Sequence, residues 1–194
     1  MEDLTKKFAH LYDVISSQRF LKKEALGGEI PFFISAYDAK QEIEVYNSIK
    51  LLKNKLETSG VKVLELNLYD LVCDILEEKG GIERMFQIEK LKSKDRFLSA
   101  LQSTLNIHEV LMPKIQSLID ESKSNVYFLT GIGLVFPYIR SHNILNNLQN
   151  VAKDSPTLAF FPGDYNGHTL NLFGLMKDDN YYRAFNIDLI NPKA

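Results

Sequence analysis

A single cysteine, Cys73, stands in this chain of 194 residues, and one thiol cannot close a disulfide within it. Ten glycines and six prolines are too few for a collagen repeat, a mucin-like stalk or a Pro-rich linker. No apolar run approaches the ~20 residues that span a bilayer. The opening segment MEDLTKKFAHLYDVI mixes both charges and lacks the apolar stretch of a signal peptide. Excess positive charge is missing too: 23 Lys and Arg face 25 Asp and Glu, a formal net charge of −2. A protein held to DNA or anionic lipid by bulk charge would be basic. What the chain has is apolar substance, 45% hydrophobic and 11% aromatic. That suffices for a chain of this size to bury ~70% of its unfolded surface. The expectation is a soluble cytoplasmic protein forming one domain over residues 1–194, without membrane association.

Leu4, Phe8, Leu11 and Ile15 recur at helical spacing and predict an opening helix, stopped by Gly27 and Gly28. Residues 1–28 thus form an N-terminal helical unit. The apolar run IPFFIS at 30–35 reads as a strand covered on both faces. Asp38 is placed to cap a helix reaching about Ser59, with Val45, Ile49, Leu52 and Leu56 as its apolar stripe. A second strand is expected at 61–66 and a helix over 68–78. A helical insert at 80–123 holds two further helices, with Pro113 in the first turn of the later one. Residues 126–130 read as a third strand, 137–152 as a helix after Gly131-Ile132-Gly133, and 157–161 as a fourth strand closed by Pro162 and Gly163. In the tail, Leu170 and Leu172, then Phe185, Ile187 and Leu189, alternate with polar neighbours around a turn at 177–180, as in a hairpin or paired edge strands. The alternation of strands and helices predicts an α/β fold of three layers. Its sheet is mainly parallel, of about five strands with a possible antiparallel edge, and helices cover both faces. The architecture is P-loop-NTPase-like or Rossmann-like, without a phosphate-binding loop.

The chain after the first strand, SAYDAKQE, contains no glycine, and Asp38 brings negative charge to the helix start where a phosphate would sit. Gly131-Ile132-Gly133 lacks the third glycine of a dinucleotide fingerprint and reads as a tight turn before a phosphate cradle. The following helix segregates Tyr138, Ser141, Ile144, Leu145, Leu148, Val151 and Ala152 from an opposite arc of His142, Asn143, Asn146, Asn147, Gln149 and Asn150, with Arg140 on the border. Lys and Glu would propagate a solvated helix better than Asn. The amide-rich arc is therefore either an ordinary polar surface or a contact face for a partner. Asp164 and His168, with Asp178 and Asp179, could approach a metal. Yet Asp164 and Asn166 between glycines are also what tight turns use, and no helical His pair supports a ligand set. Of Tyr181 and Tyr182 one should enter the core and the other, beside Arg183, resembles an interface anchor, as does Tyr165 in the preceding block. Cys73, beside Asp74 in an apolar helix, is a poor nucleophile. His10 and His108 stand alone, and no GxSxG elbow occurs. No catalytic residue, cofactor or metal is expected.

The segments GIGLVFPYIRSHNILNNLQ, FFPGDYNGHTLNLFG and DDNYYRAF, preceded by LNLYDL, resemble the BrxB family, the small B component of BREX phage-defence systems, from about Ile30 to Ile190. The resemblance implies action with other BREX components, among them an alkaline-phosphatase-like protein (PglZ), a large ATPase and an adenine methyltransferase. It carries no catalytic residues across. The reading is a non-enzymatic assembly protein whose first-choice partner is the alkaline-phosphatase-like component. Its contact residues would come from Arg140, His142, Asn143, Asn146, Asn147, Asp164, Tyr165, Tyr182 and Arg183. An enzyme or nucleotide switch in the crevice around Asp38, Gly131, Gly133 and Arg140 is the alternative. Direct nucleic-acid contact comes third, disfavoured by the net charge.

Overall fold

Alternation of apolar side chains to opposite faces organises the molecule. In the strand β3 (Val126–Thr130), Val126 and Phe128 point into one buried cluster and Tyr127 and Leu129 into another. The same split recurs at Leu158 and Phe160 against Ala159 and Phe161 in β4 (Thr157–Tyr165), and at Phe33 against Phe32 and Ile34 in β1 (Phe32–Tyr37). A sheet buried on both faces needs helices on both, and the computed structural model, which describes residues 3–23, 32–178, 180 and 182–192, has them. No helix among the described residues is long and apolar enough to cross a membrane.

With β2 (Val63–Asn67) and β7 (Phe185–Asn186), the parallel order is β2-β3-β4-β1-β7. The chain therefore moves one way from β1 to β2 and the other way from β2 to β3 to β4. Right-handed crossovers then put the connecting helices on opposite faces. α1 (Leu4–Ile15), α2 (Gln18–Leu21) and α3 (Glu42–Thr58) cover one face, the cluster of Leu11, Val45, Ile49, Phe128 and Phe160. The other face, around Leu129 and Phe161, lies under α4 (Leu68–Glu78), α7 (Met112–Ser122) and α8 (Ser141–Val151). The three-layer α/β reading holds.

Several elements depart from the sequence expectation. The opening helix breaks at Ser16, and Ser17 caps α2 by accepting from the Phe20 N–H at 3.2 Å. Its stop at Gly27 and Gly28, like the start of the first strand, lies outside the described residues. Asp38 does cap, but it caps a 3₁₀ turn at Ala39–Gln41 that leads into α3. The insert holds three α-helices, α5 (Ile82–Leu91), α6 (Lys94–Leu105) and α7, the last entered through a π turn at Ile107–Leu111. Pro113 occupies the start of α7 as expected. The helix expected from 137 begins only at Ser141, because Arg140 is extended (φ −92°, ψ 144°). The earlier apolar periodicity belongs to one isolated helical turn in which the Ile139 N–H donates to Val135.

Pro162 and Gly163 do not end β4. Pro162 faces Tyr37, the last residue of β1, and beyond it β4 exchanges that parallel partner for an antiparallel one, β5 (Leu170–Leu172). The exchange needs glycine: a Cβ on Gly163 would lie 2.1 Å from the Asn171 carbonyl oxygen, and its φ is +147°. β5 turns into β6 (Met176–Asp178) through Phe173, Gly174 and Leu175, with φ of +58° at Phe173 and +68° at Gly174. A hairpin is present, but it joins β5 to β6 and turns before the Lys-Asp-Asp-Asn segment; the expected pairing of 170–172 with 185–189 across that segment does not form. Phe185 and Asn186 pair parallel with β1, and Ile187–Leu189 is a 3₁₀ turn capped by Asn186, so the alternation there is not a full strand.

Candidate functional site

The reversal of chain direction falls between β1 and β4, and open α/β sheets place ligands beyond the strand ends at such a point. A cavity of about 430 Å³ lies there, lined by Ala36–Ala39, by Gly163, Asp164 and Tyr165, and by Phe173 and Gly174. β3 does not border β1, so Gly131 and Gly133 are not part of this crevice. Its charged groups are carboxylates. Asp38 Oδ1 accepts from the Lys40 N–H at 3.0 Å, and Asp164 Oδ2 accepts from Asn171 Nδ2 at 3.3 Å. The Tyr37 hydroxyl donates to Glu42 at 2.7 Å, and burial followed by the Glu42 charge pushes the phenol well above its ordinary range. A phosphate here would meet negative charge at the turn where a phosphate-binding loop offers N–H groups.

Gly131 and Gly133 are packing residues. A Cβ on Gly131 (φ +73°) would sit 2.7 Å from Asn67 Oδ1, which accepts from the Tyr69 N–H to cap α4. A Cβ on Gly133 would come within 2.9 Å of Phe173 and 3.0 Å of Pro162.

A second cavity, of about 210 Å³, gathers Arg140 and His142 from the start of α8 with Leu172, Met176, Lys177, Asp178 and Asn180 from the hairpin and tail. Asp178 is its centre. Its Oδ2 accepts from the Tyr182 hydroxyl at 2.5 Å and lies 3.4 Å from His142 Nδ1, while the Asn180 backbone N–H donates to Oδ1 at 3.0 Å. Burial alone would raise the Asp178 carboxyl, but the Tyr182 and Asn180 donors, with His142 beside it, hold it below its ordinary value. Tyr182 is pushed upward, first by burial and then by its bond to Asp178. In the sequence Asp178 reads as a turn residue and a candidate metal carboxylate. The one cue to its structural role was a tyrosine four residues on.

These contacts correct the picture of a free amide face. The buried arc of α8 is as expected, with Ser141, Ile144, Leu145 and Leu148 inside. On the other arc, His142 faces Asp178, and Gln149 Nε2 donates to the Arg183 carbonyl at 3.1 Å. Part of that arc therefore holds the chain's own tail. Asn147 Nδ2 donates back to the Asn143 carbonyl at 2.7 Å, and Asn143 and Asn147 are half-buried. Arg140, Asn146, Asp164 and Arg183 remain exposed. Tyr182 is 1% exposed, so it is the core tyrosine of its pair and not a surface anchor; Tyr181 lies outside the described residues. Tyr165 is buried as well, its hydroxyl donating to the Ala184 carbonyl at 2.7 Å. Asp164 bonds Asn171, and Asn166 caps its own turn by accepting from the His168 and Thr169 N–H groups, which is turn chemistry. Among the described residues no three His, Cys, Asp or Glu side chains gather as a metal-ligand set.

The family model described as "BREX protein BrxB" matches residues 64–187, from β2 to the buried Ile187. A BREX protein BrxB of Bacillus cereus (strain H3081.97) is 38% identical over 189 residues, 96% of this chain and 98% of that protein. The chain belongs to the BrxB family. A second BrxB relative, from Escherichia coli O9:H4 (strain HS), is 32% identical over 184 residues, 95% of this chain and 91% of that one. BrxB proteins belong to BREX phage-defence systems, which places this fold in antiviral defence. The BrxB match spans β2 to β7 and includes Asp178, Tyr182 and the Gly163 crossing. No solved structure matches the chain.

Proposed function

We propose that the chain is a non-enzymatic assembly protein of a BREX complex, binding other BREX components, with the alkaline-phosphatase-like component as first partner. One observation carries the reading beyond family membership. The crevice at the β1–β4 reversal, where an α/β enzyme or switch of this topology would receive its ligand, presents Asp38 and Asp164, and Asp38 already satisfies its own turn. A site so built repels the phosphates of a nucleotide. Exposed Arg140, Asn146, Asp164 and Arg183 are the sequence-derived contact residues that this role retains.

Two measurements test it. Thermal melts with ATP, GTP, Mg²⁺, Mn²⁺ and Zn²⁺ are expected to coincide with the ligand-free curve. A resident ligand at a hundredfold excess over its Kd would add about 2.7 kcal/mol. In a pull-down from cells co-expressing the BREX components, the tagged chain is expected to retain the alkaline-phosphatase-like component. A ligand-dependent rise in melting temperature with no retained component contradicts the proposal.

A further inference from the structure

α8 begins with its N-terminal dipole uncompensated. No side chain caps it, and its first turn holds no acidic residue. The Arg140 carbonyl accepts from the Asn143 and Ile144 N–H groups, while the Ser141 and His142 N–H groups find no acceptor among the described residues. N–H groups left open at the positive end of a helix dipole favour an anion.

A second feature is independent of the helix end. Ser141 is only 9% exposed, yet its hydroxyl has no hydrogen-bond partner among the described residues. Its side chain lines the cavity of about 210 Å³ that Arg140 and His142 share with the hairpin. A buried hydroxyl without a partner is costly, and a group entering the cavity would supply one. The exposed Arg140 guanidinium likewise makes no hydrogen bond or ion pair among the described residues.

Charge and size narrow the ligand. The charged or titratable groups lining the cavity are Arg140, Lys177, His142 and Asp178. Asp178 is engaged within the fold by the Tyr182 hydroxyl, the Asn180 N–H and His142. Glu109, on the π turn packed against α8, accepts from Asn106 and does not line the cavity; Asp179 lies outside the described residues. The charge left unmet is the Arg140 cation. The volume is below the ~300 Å³ at which pockets for whole small molecules begin, so a nucleotide does not fit. Phe136, Leu172 and Met176 form an apolar wall, which suits an aliphatic stem better than a free, fully hydrated anion. A carboxylate on a short stem satisfies all of these: the arginine fork pairs with it bidentately, and the hydroxyl and backbone N–H groups donate to it.

We infer that the cavity at the start of α8 receives an acidic side chain, Asp or Glu, of a partner protein, gripped by Arg140, the Ser141 hydroxyl and the N–H groups of Ser141 and His142. The inference rests on the assembly reading above and adds to it a site and the chemistry of the group that fills it.

The test is titration of the purified chain with the BREX component it retains, at fixed ionic strength. Arg140→Ala is expected to weaken binding at least ~10-fold, and Arg140→Lys, which keeps the charge but loses the fork, to fall between that variant and the parent chain. Ser141→Ala is expected to weaken it about 5-fold. The double variant should lose less than the product of the two, because both side chains hold one carboxylate. Lys90→Ala, an exposed cation on α5, is the control for bulk charge and leaves affinity unchanged. Melting curves of all variants establish that the fold persists. If Arg140→Ala and Ser141→Ala both bind like the parent chain, or Lys90→Ala loses as much as they do, the inference fails and the assembly reading stands. A loss confined to Arg140→Ala and fully restored by Arg140→Lys marks a contact outside the cavity and also overturns it. So does inorganic phosphate that raises the melting temperature of the parent chain but not of Arg140→Ala while both bind the component equally, since the cavity then holds a free anion. If the parent chain binds no BREX component, both readings fail.

Discussion

At the residue scale, two buried polar contacts hold the ends of the chain to the sheet. Lys7 of α1 is 9% exposed, and its ammonium donates to the Ala36 carbonyl at 2.7 Å and to Asp188 at 2.9 Å. Ser35 of β1 donates to the same carboxylate at 3.2 Å. Removing one member of a buried pair leaves the other charge uncompensated, so Asp188→Ala is expected to cost about 3 kcal/mol in urea unfolding. Asp188→Asn keeps the acceptor and should cost less. The second contact is Asp178 with Tyr182. Tyr182→Phe removes one hydrogen bond and should lower stability by about 1 kcal/mol. Because the folded carboxyl of Asp178 is held below its ordinary value near 3.8, its contribution is present in full above that pH and is lost as pH falls through the folded value. The stability difference between the parent chain and Asp178→Asn should therefore be constant at neutral pH and shrink below about pH 4. A difference that grows on acidification would contradict the assignment. The first contact is not legible in the sequence. Lys7 to Asp188 spans nearly the whole chain, and local spacing carries no information on such pairs.

At the element scale, strands and helices with strong patterns were legible and junctions were not. β3 coincides with its expected range because five apolar or β-branched residues in a row fit only a strand covered on both faces. α4 coincides because Asn67 caps it, with its side chain accepting from Tyr69 and Asp70. Asn67→Ala should cost about 1 kcal/mol in thermal unfolding. The hairpin was expected across Lys-Asp-Asp-Asn because that segment carries the stronger turn composition, whereas the hairpin that forms joins β5 to β6 through a turn with a phenylalanine at positive φ, which few sequences adopt. β4 was cut short for a similar reason. Pro and Gly read as a terminus, while their actual role is to hand the strand from β1 to β5. Gly163→Ala tests that role. The added methyl would collide with the Asn171 carbonyl, so a loss of at least ~2 kcal/mol is expected, with faster amide exchange in β5 and β6 than in β3.

At the scale of the whole molecule, the α/β class and both covered faces followed from the alternation of elements, and the family from LNLYDL and the segments after β3. The candidate site followed less well. Arg140, Asn146, Asp164 and Arg183 are exposed as a contact role requires, whereas Tyr165 and Tyr182 are core and His142 is turned toward the tail. The central claim is that this BrxB-family protein works by binding other BREX components. Sedimentation velocity on the chain co-expressed and purified with those components tests it most directly. The chain is expected to sediment in a complex of defined stoichiometry, with no free fraction when the partner is in excess. A chain that sediments alone in the presence of every component, at micromolar concentration, would contradict it.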